Sequence, residues 1–105
     1  MDLDIKATGR INLTFANGYV YTFDQGVGRF RMRTDAKGRS DVVSPTQLVF
    51  IDTPEGTGYS FDQRAQKFLY RMVDDIMETL PDGIVVIPTE EGYLDFDQDN
   101  HRFLQ

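Results

Sequence analysis

Arg29, Arg31 and Arg33 alternate along one short stretch, with Lys37 and Arg39 close behind. Five of the eleven basic residues therefore fall within eleven positions. On a strand, alternate residues share a face about 6.6 Å apart, twice the rise per residue. Guanidinium groups in such a ribbon can grip phosphates or carboxylates bidentately. The formal net charge of −6 argues against direct nucleic-acid binding, because dedicated binders are usually basic. A solvated strand face that discourages edge pairing explains the ribbon equally well, and a contact with a protein or a second copy is the functional alternative.

Carboxylates form the second constellation. Asp95, Asp97 and Asp99 fall in Asp-Phe-Asp-Gln-Asp-Asn, which resembles the opening of a calcium loop. Its sixth position is Asn100 rather than Gly, and its twelfth would lie past Gln105, so a solvated acidic face is the plainer reading. Asp74, Asp75 and Glu78 follow Arg64, Lys67 and Arg71 along one polar stretch, and Glu90 and Glu91 stand together further on. The single histidine, His101, the turn serines and Gly26-Val27-Gly28 match no catalytic or phosphate-binding pattern. We read no catalytic residue, cofactor or metal ligand from the sequence.

The charges are polarised. Residues 1–39 hold seven basic and four acidic groups, whereas residues 40–105 hold four and thirteen. With 105 residues the chain is one domain, and without cysteine it has neither disulfides nor thiolate chemistry. The start, Met-Asp-Leu-Asp, is acidic where a signal peptide would be basic, and no apolar run is long enough to span a membrane. A soluble cytoplasmic protein is the expectation.

The elements that must position these groups are read from periodicity. Residues 3–15 and 19–23 alternate as strands around Asn17-Gly18. A three-residue loop pairs Leu13 with Tyr21 and Ile11 with Phe23, placing the large apolar groups on one face. Further strands are expected at 29–33, 42–43, 47–51, 84–87 and 93–98, with 47–51 and 84–87 in interior positions. Residues 60–80 carry Phe61, Ala65, Phe68, Leu69, Met72, Val73, Ile76, Met77 and Leu80 at helical spacing. Ser60 and Gln63 complete a capping-box pattern, and Pro81 follows as a stop. Phe-Asp-Gln occurs three times, at 23–25, 61–63 and 96–98, each after a Gly-Tyr. The surroundings read as a strand end, a helix start and a strand, so the triplets read as coincidence.

The expected fold is α+β, an antiparallel twisted sheet of five to seven strands with one amphipathic helix on one face. The expected function is a small acidic, non-enzymatic interaction module of phage or mobile-element type. It would act as an inhibitor or nucleic-acid mimic, with Asp74, Asp75, Glu78, Glu90, Glu91, Asp95, Asp97 and Asp99 docking a basic partner. The alternatives are a self-associating assembly subunit that matches its basic and acidic halves, and a cation-dependent module.

Overall fold

The computed structural model describes residues 9–104. Eleven strands form three antiparallel sheets, each a meander. The first holds β1 (Arg10–Thr14), β2 (Val20–Asp24), β3 (Arg29–Thr34) and β4 (Ser40–Val42) in that order. The second holds β5 (Leu48–Asp52), β6 (Gly58–Asp62), β7 (Lys67–Val73) and β8 (Ile76–Thr79). The third holds β9 (Ile84–Thr89), β10 (Gly92–Asp97) and β11 (Arg102–Leu104), with β10 central.

The expected helix over 60–80 does not exist. That stretch is the end of β6, a turn, β7, a second turn and β8, so the fold is nearly all β rather than α+β. Phe61 and Phe68 lie seven residues apart, which on a helix means one face. Here they are cross-strand partners in a hairpin, and both are buried. Met72, Ile76 and Met77, assigned to the buried stripe, are exposed. The only helical element among the described residues is a 3₁₀ turn at Ala16–Gly18. That turn joins β1 to β2 with Leu13 opposite Tyr21 and Ile11 opposite Phe23, the register that buries the large side chains. The 47–51 and 84–87 strands are edge strands, not interior ones. The part of the expected first strand before residue 9 lies outside the described residues.

The three sheets share one central device, and it is the recurring triplet. Each occurrence opens an eight-residue unit, Phe-Asp-Gln, three variable residues, Arg or Lys, then Phe: 23–30, 61–68 and 96–103. Each unit is the same hairpin turn, so the triplets are a structural repeat after all. The Asp side chain caps its own turn: Asp24 Oδ1 accepts from the Gly26 amide, Asp62 Oδ1 from Arg64 and Ala65, and Asp97 Oδ1 from Asp99 and Asn100. The last turn residue is left-handed each time, with φ of 70° at Gly28, 60° at Gln66 and 59° at His101.

The six phenylalanines are all buried and close a ring around a pseudo-threefold axis. In the order Phe23, Phe30, Phe61, Phe68, Phe96, Phe103 and back to Phe23, successive centroids lie 5.0, 5.0, 4.9, 5.0, 4.9 and 5.0 Å apart. Every contact is edge-to-face, the arrangement the ring quadrupoles favour. Phe23, Phe61 and Phe96 form the inner triangle, 5.8–5.9 Å on a side.

The glutamines clasp the units to one another. Gln63 accepts the Phe30 amide at 3.0 Å and donates to the Phe30 carbonyl at 2.7 Å. Gln98 does the same to Phe68, at 3.0 and 2.7 Å, and Gln25 to Phe103, at 2.9 and 2.7 Å. Each sheet thus grips a neighbour, and the circle closes. Buried backbone groups need such partners, and the glutamine amide supplies a donor and an acceptor together.

At one end of the axis the three left-handed turn residues meet. A Cβ on Gly28 would lie 2.9 Å from both Gln66 Nε2 and the His101 carbonyl oxygen. Gly28→Ala is expected to cost about 3 kcal/mol, combining the left-handed penalty with the clash. Gly38→Ala, at φ 88° with nothing nearby, should cost only about 1 kcal/mol. Urea midpoints of the two variants check this.

Candidate interaction face

The bulges decide where the charged side chains go. Between β2 and β3 the register shifts after Thr22, so that Phe23 faces Phe30 while Thr22 faces Met32. The extra residue is Arg31, and beyond it the alternation changes phase. The ribbon read from the sequence is therefore split. Arg29 donates from Nε to the Gln63 carbonyl at 2.9 Å. Arg31 lies 3.7 Å from Asp24, which also receives Arg10 at 3.8 Å. Arg33 sits opposite buried Tyr21, 3.6 Å from Asp41 and over the Tyr19 ring. Lys37 and Arg39 stand exposed at the β3–β4 turn.

The second sheet repeats this design with a bulge at Leu69. Arg71 faces Tyr59 and pairs through Nη2 with both Glu78 oxygens, at 3.0 and 3.1 Å. Tyr21 and Tyr59 each donate a hydroxyl to the first strand of the next sheet, at Phe50 and Val86. Burial holds the Tyr21 phenol above its ordinary range, while the Arg33 guanidinium pulls it down.

The predicted acidic residues fall at two ends. Asp74 and Asp75 form the β7–β8 turn, and Glu90 and Glu91 the β9–β10 turn, at the end away from the Phe-Asp-Gln turns. Asp97 and Asp99 lie in the β10–β11 turn, at the opposite end of β10, and exposed Asp95 lies along that strand. Asp97 is a turn cap, held below the usual carboxylate range by hydrogen bonds from the Asn100 side chain and from the Asn100 and Asp99 amides. Burial pushes the Glu91 carboxyl up, but hydrogen bonds from Thr14, whose amide lies 3.0 Å away, from its own amide and from Thr89 together hold it below its ordinary value. No group of three His, Asp or Glu side chains converges as a metal site among the described residues.

What sequence reasoning missed is the outer face of the second sheet. Cross-strand pairing aligns Phe50, Ser60, Tyr70 and Thr79 in one row, and Asp52, Gly58, Met72 and Met77 in the next. Phe50 is 69% exposed, Met77 56% and Met72 41%. Above Gly58, which contributes no side chain, lies a shallow hollow of about 150 Å³ lined by Phe50, Tyr70, Met72 and Met77. The matching rows of the first sheet are Asn12, Thr22, Met32, Val42 and Thr14, Val20, Thr34, Ser40, which are largely polar. The signal was present as Met72, Ile76 and Met77, but helical spacing placed them in the core.

No family model, curated protein or solved structure matches this chain. Beside the face, Asp74 and Asp75 have φ of 50° and 66°, a mirror-image turn that favours Asn-Gly or Asp-Gly. Aspartate enters the left-handed region more readily than most residues, though less freely than glycine, so the turn places two carboxylates beside the face at a modest conformational cost. Asp75→Gly is expected to stabilise the fold by about 1 kcal/mol, which thermal melting would register as a rise of about 4–8 °C.

No helix long and apolar enough to cross a membrane occurs among the described residues.

Proposed function

We propose that the protein is a non-enzymatic interaction module that docks a basic partner through the outer face of its second sheet. One observation carries this reading: the repeat builds matching outer faces on the first two sheets, and only the second gathers Phe50, Tyr70, Met72 and Met77 around one hollow beside a two-aspartate turn. Exposed apolar groups beside charge mark interaction sites, and methionines suit an adaptable contact. The interior is filled by aromatic rings, and its buried glutamines are committed to backbone clasps, which supports a structural rather than catalytic use of the core. The split of the carboxylates between two ends favours a local acidic turn over a nucleic-acid mimic spread along the whole acidic half.

The test is affinity capture with the parent protein and with Phe50→Ser, Met72→Ser. Both substitutions lie on exposed positions, so the melting temperature should change little. Loss of a stoichiometrically captured protein in the variant is the expected result; the same capture by both proteins would reject the face.

A further inference from the structure

We infer that the basic surface is supplied by a second copy of this chain, with the Lys37 and Arg39 hairpin (β3–β4) of one copy docking beside the β7–β8 hairpin of the next. This rests on the reading above that the second sheet and its acidic turn dock a basic surface. Strands β4 and β8 are equivalent by the repeat, and each is a sheet edge exposed at every residue. Their ladders leave unpaired backbone groups along one side. Val43 donates to the Arg31 carbonyl and Leu80 to the Leu69 carbonyl, so by antiparallel alternation the backbones of Ser40 and Val42, and of Met77 and Thr79, turn outward. Open edges of this kind are templates for pairing with another chain.

The two edges differ in sign: Asp35 caps the β3–β4 turn by accepting the Lys37 and Arg39 amides but leaves that turn net positive, whereas the β7–β8 turn is acidic. The β3–β4 turn presents Lys37 and Arg39, neither in an ion pair among the described residues, and β4 carries Val42, 83% exposed. The β7–β8 turn presents Asp74 and Asp75, followed by exposed Ile76 and Met77. Both turns lie at the same end of the molecule. Two copies side by side with parallel axes therefore bring Lys37 and Arg39 level with Asp74 and Asp75, and Val42 toward the Met77 edge. Opposite charges steer and register such a contact, whereas like hairpins repel. The contact is heterologous, joining two different patches, so it builds chains or rings rather than stopping at a two-fold dimer.

Light scattering tests this at low and high salt on the full chain. The expected mass at low salt exceeds twice the monomer's 12.1 kDa and falls toward the monomer as salt rises. Lys37→Glu with Arg39→Glu should be monomeric alone, as should Asp74→Lys with Asp75→Lys. Mixing the two variants should restore the large species, because each then finds an opposite hairpin. A parent that is monomeric at every salt and concentration overturns the inference. So does a salt-insensitive dimer, or a mixture that stays monomeric. If self-association fails but Phe50→Ser, Met72→Ser still loses its captured partner, the docking face stands and only the second copy falls.

Discussion

Gln98→Leu is expected to lower the unfolding free energy by about 3–5 kcal/mol, because two buried backbone groups lose their partner and each costs about 1–3 kcal/mol unsatisfied. The Gln98 side chain is 1% exposed and serves both the amide and the carbonyl of Phe68, with a longer contact to the Pro81 carbonyl. Leucine fills similar space, so packing loss is not the main effect. A domain of this size has roughly 5–15 kcal/mol in hand, and the variant should unfold at a much lower urea concentration. Gln98→Glu separates hydrogen bonding from shape. Protonated, a carboxylic acid donates to the Phe68 carbonyl and accepts from its amide. Ionised, it turns negative charge toward that carbonyl, so the folded state raises its pKa. The stabilisation is fully present below the unfolded value and is lost as pH rises through the folded one. This variant should therefore recover in acid relative to neutral pH, and urea midpoints at the two pH values read it directly. Equal loss at both would show that shape alone matters.

Phe61→Ala should cost about 3–5 kcal/mol, in the range of large-to-small changes in tight cores. Phe61 is fully buried and meets Phe23, Phe30, Phe68 and Phe96 at 4.9–5.9 Å. Its threefold mates Phe23 and Phe96 meet four phenylalanines each in the same geometry. Phe23→Ala and Phe96→Ala should consequently match it within about 1 kcal/mol, and any two together should depart from additivity because the rings touch. Denaturant unfolding of the three variants and one pair is sufficient. A large spread among the three would mean that the symmetry of the ring is not shared by its energetics.

Strands were legible wherever alternation ran without interruption. The β1–β2 register followed from Leu13, Tyr21, Ile11 and Phe23 alone, since only one pairing buried them all. Alternation failed where a bulge inserted one residue. At Leu69 and at Arg31 the phase changes, and short strands joined by tight turns placed apolar residues at intervals that imitate a helix. That error spread. Gln63 looked like half of a capping box when it is a clasp between sheets. The second triplet stands in a stretch whose apolar spacing imitates a helix, which hides a real repeat. The longer spelling, with Arg29, Lys67 or Arg102 before a closing phenylalanine, stands in the sequence and would have shown it. The charged residues were visible by type, but Arg33 and Asp41, or Arg71 and Glu78, could be paired only once the bulges fixed which face each occupied.

The clasp from Gln25 to Phe103 spans 78 positions. It joins the first sheet to the third, so it cannot form until all three sheets have been made. A nascent chain holding two sheets has Phe23 and Phe61 in hand but no Phe103 to complete the circle. Such far-flung closure carries the largest loop entropy and favours slow, late acquisition of structure. Once closed, no hairpin can peel away without breaking a clasp at each side. Amide exchange at Phe30, Phe68 and Phe103 should then report a single opening event for the whole molecule rather than three local ones.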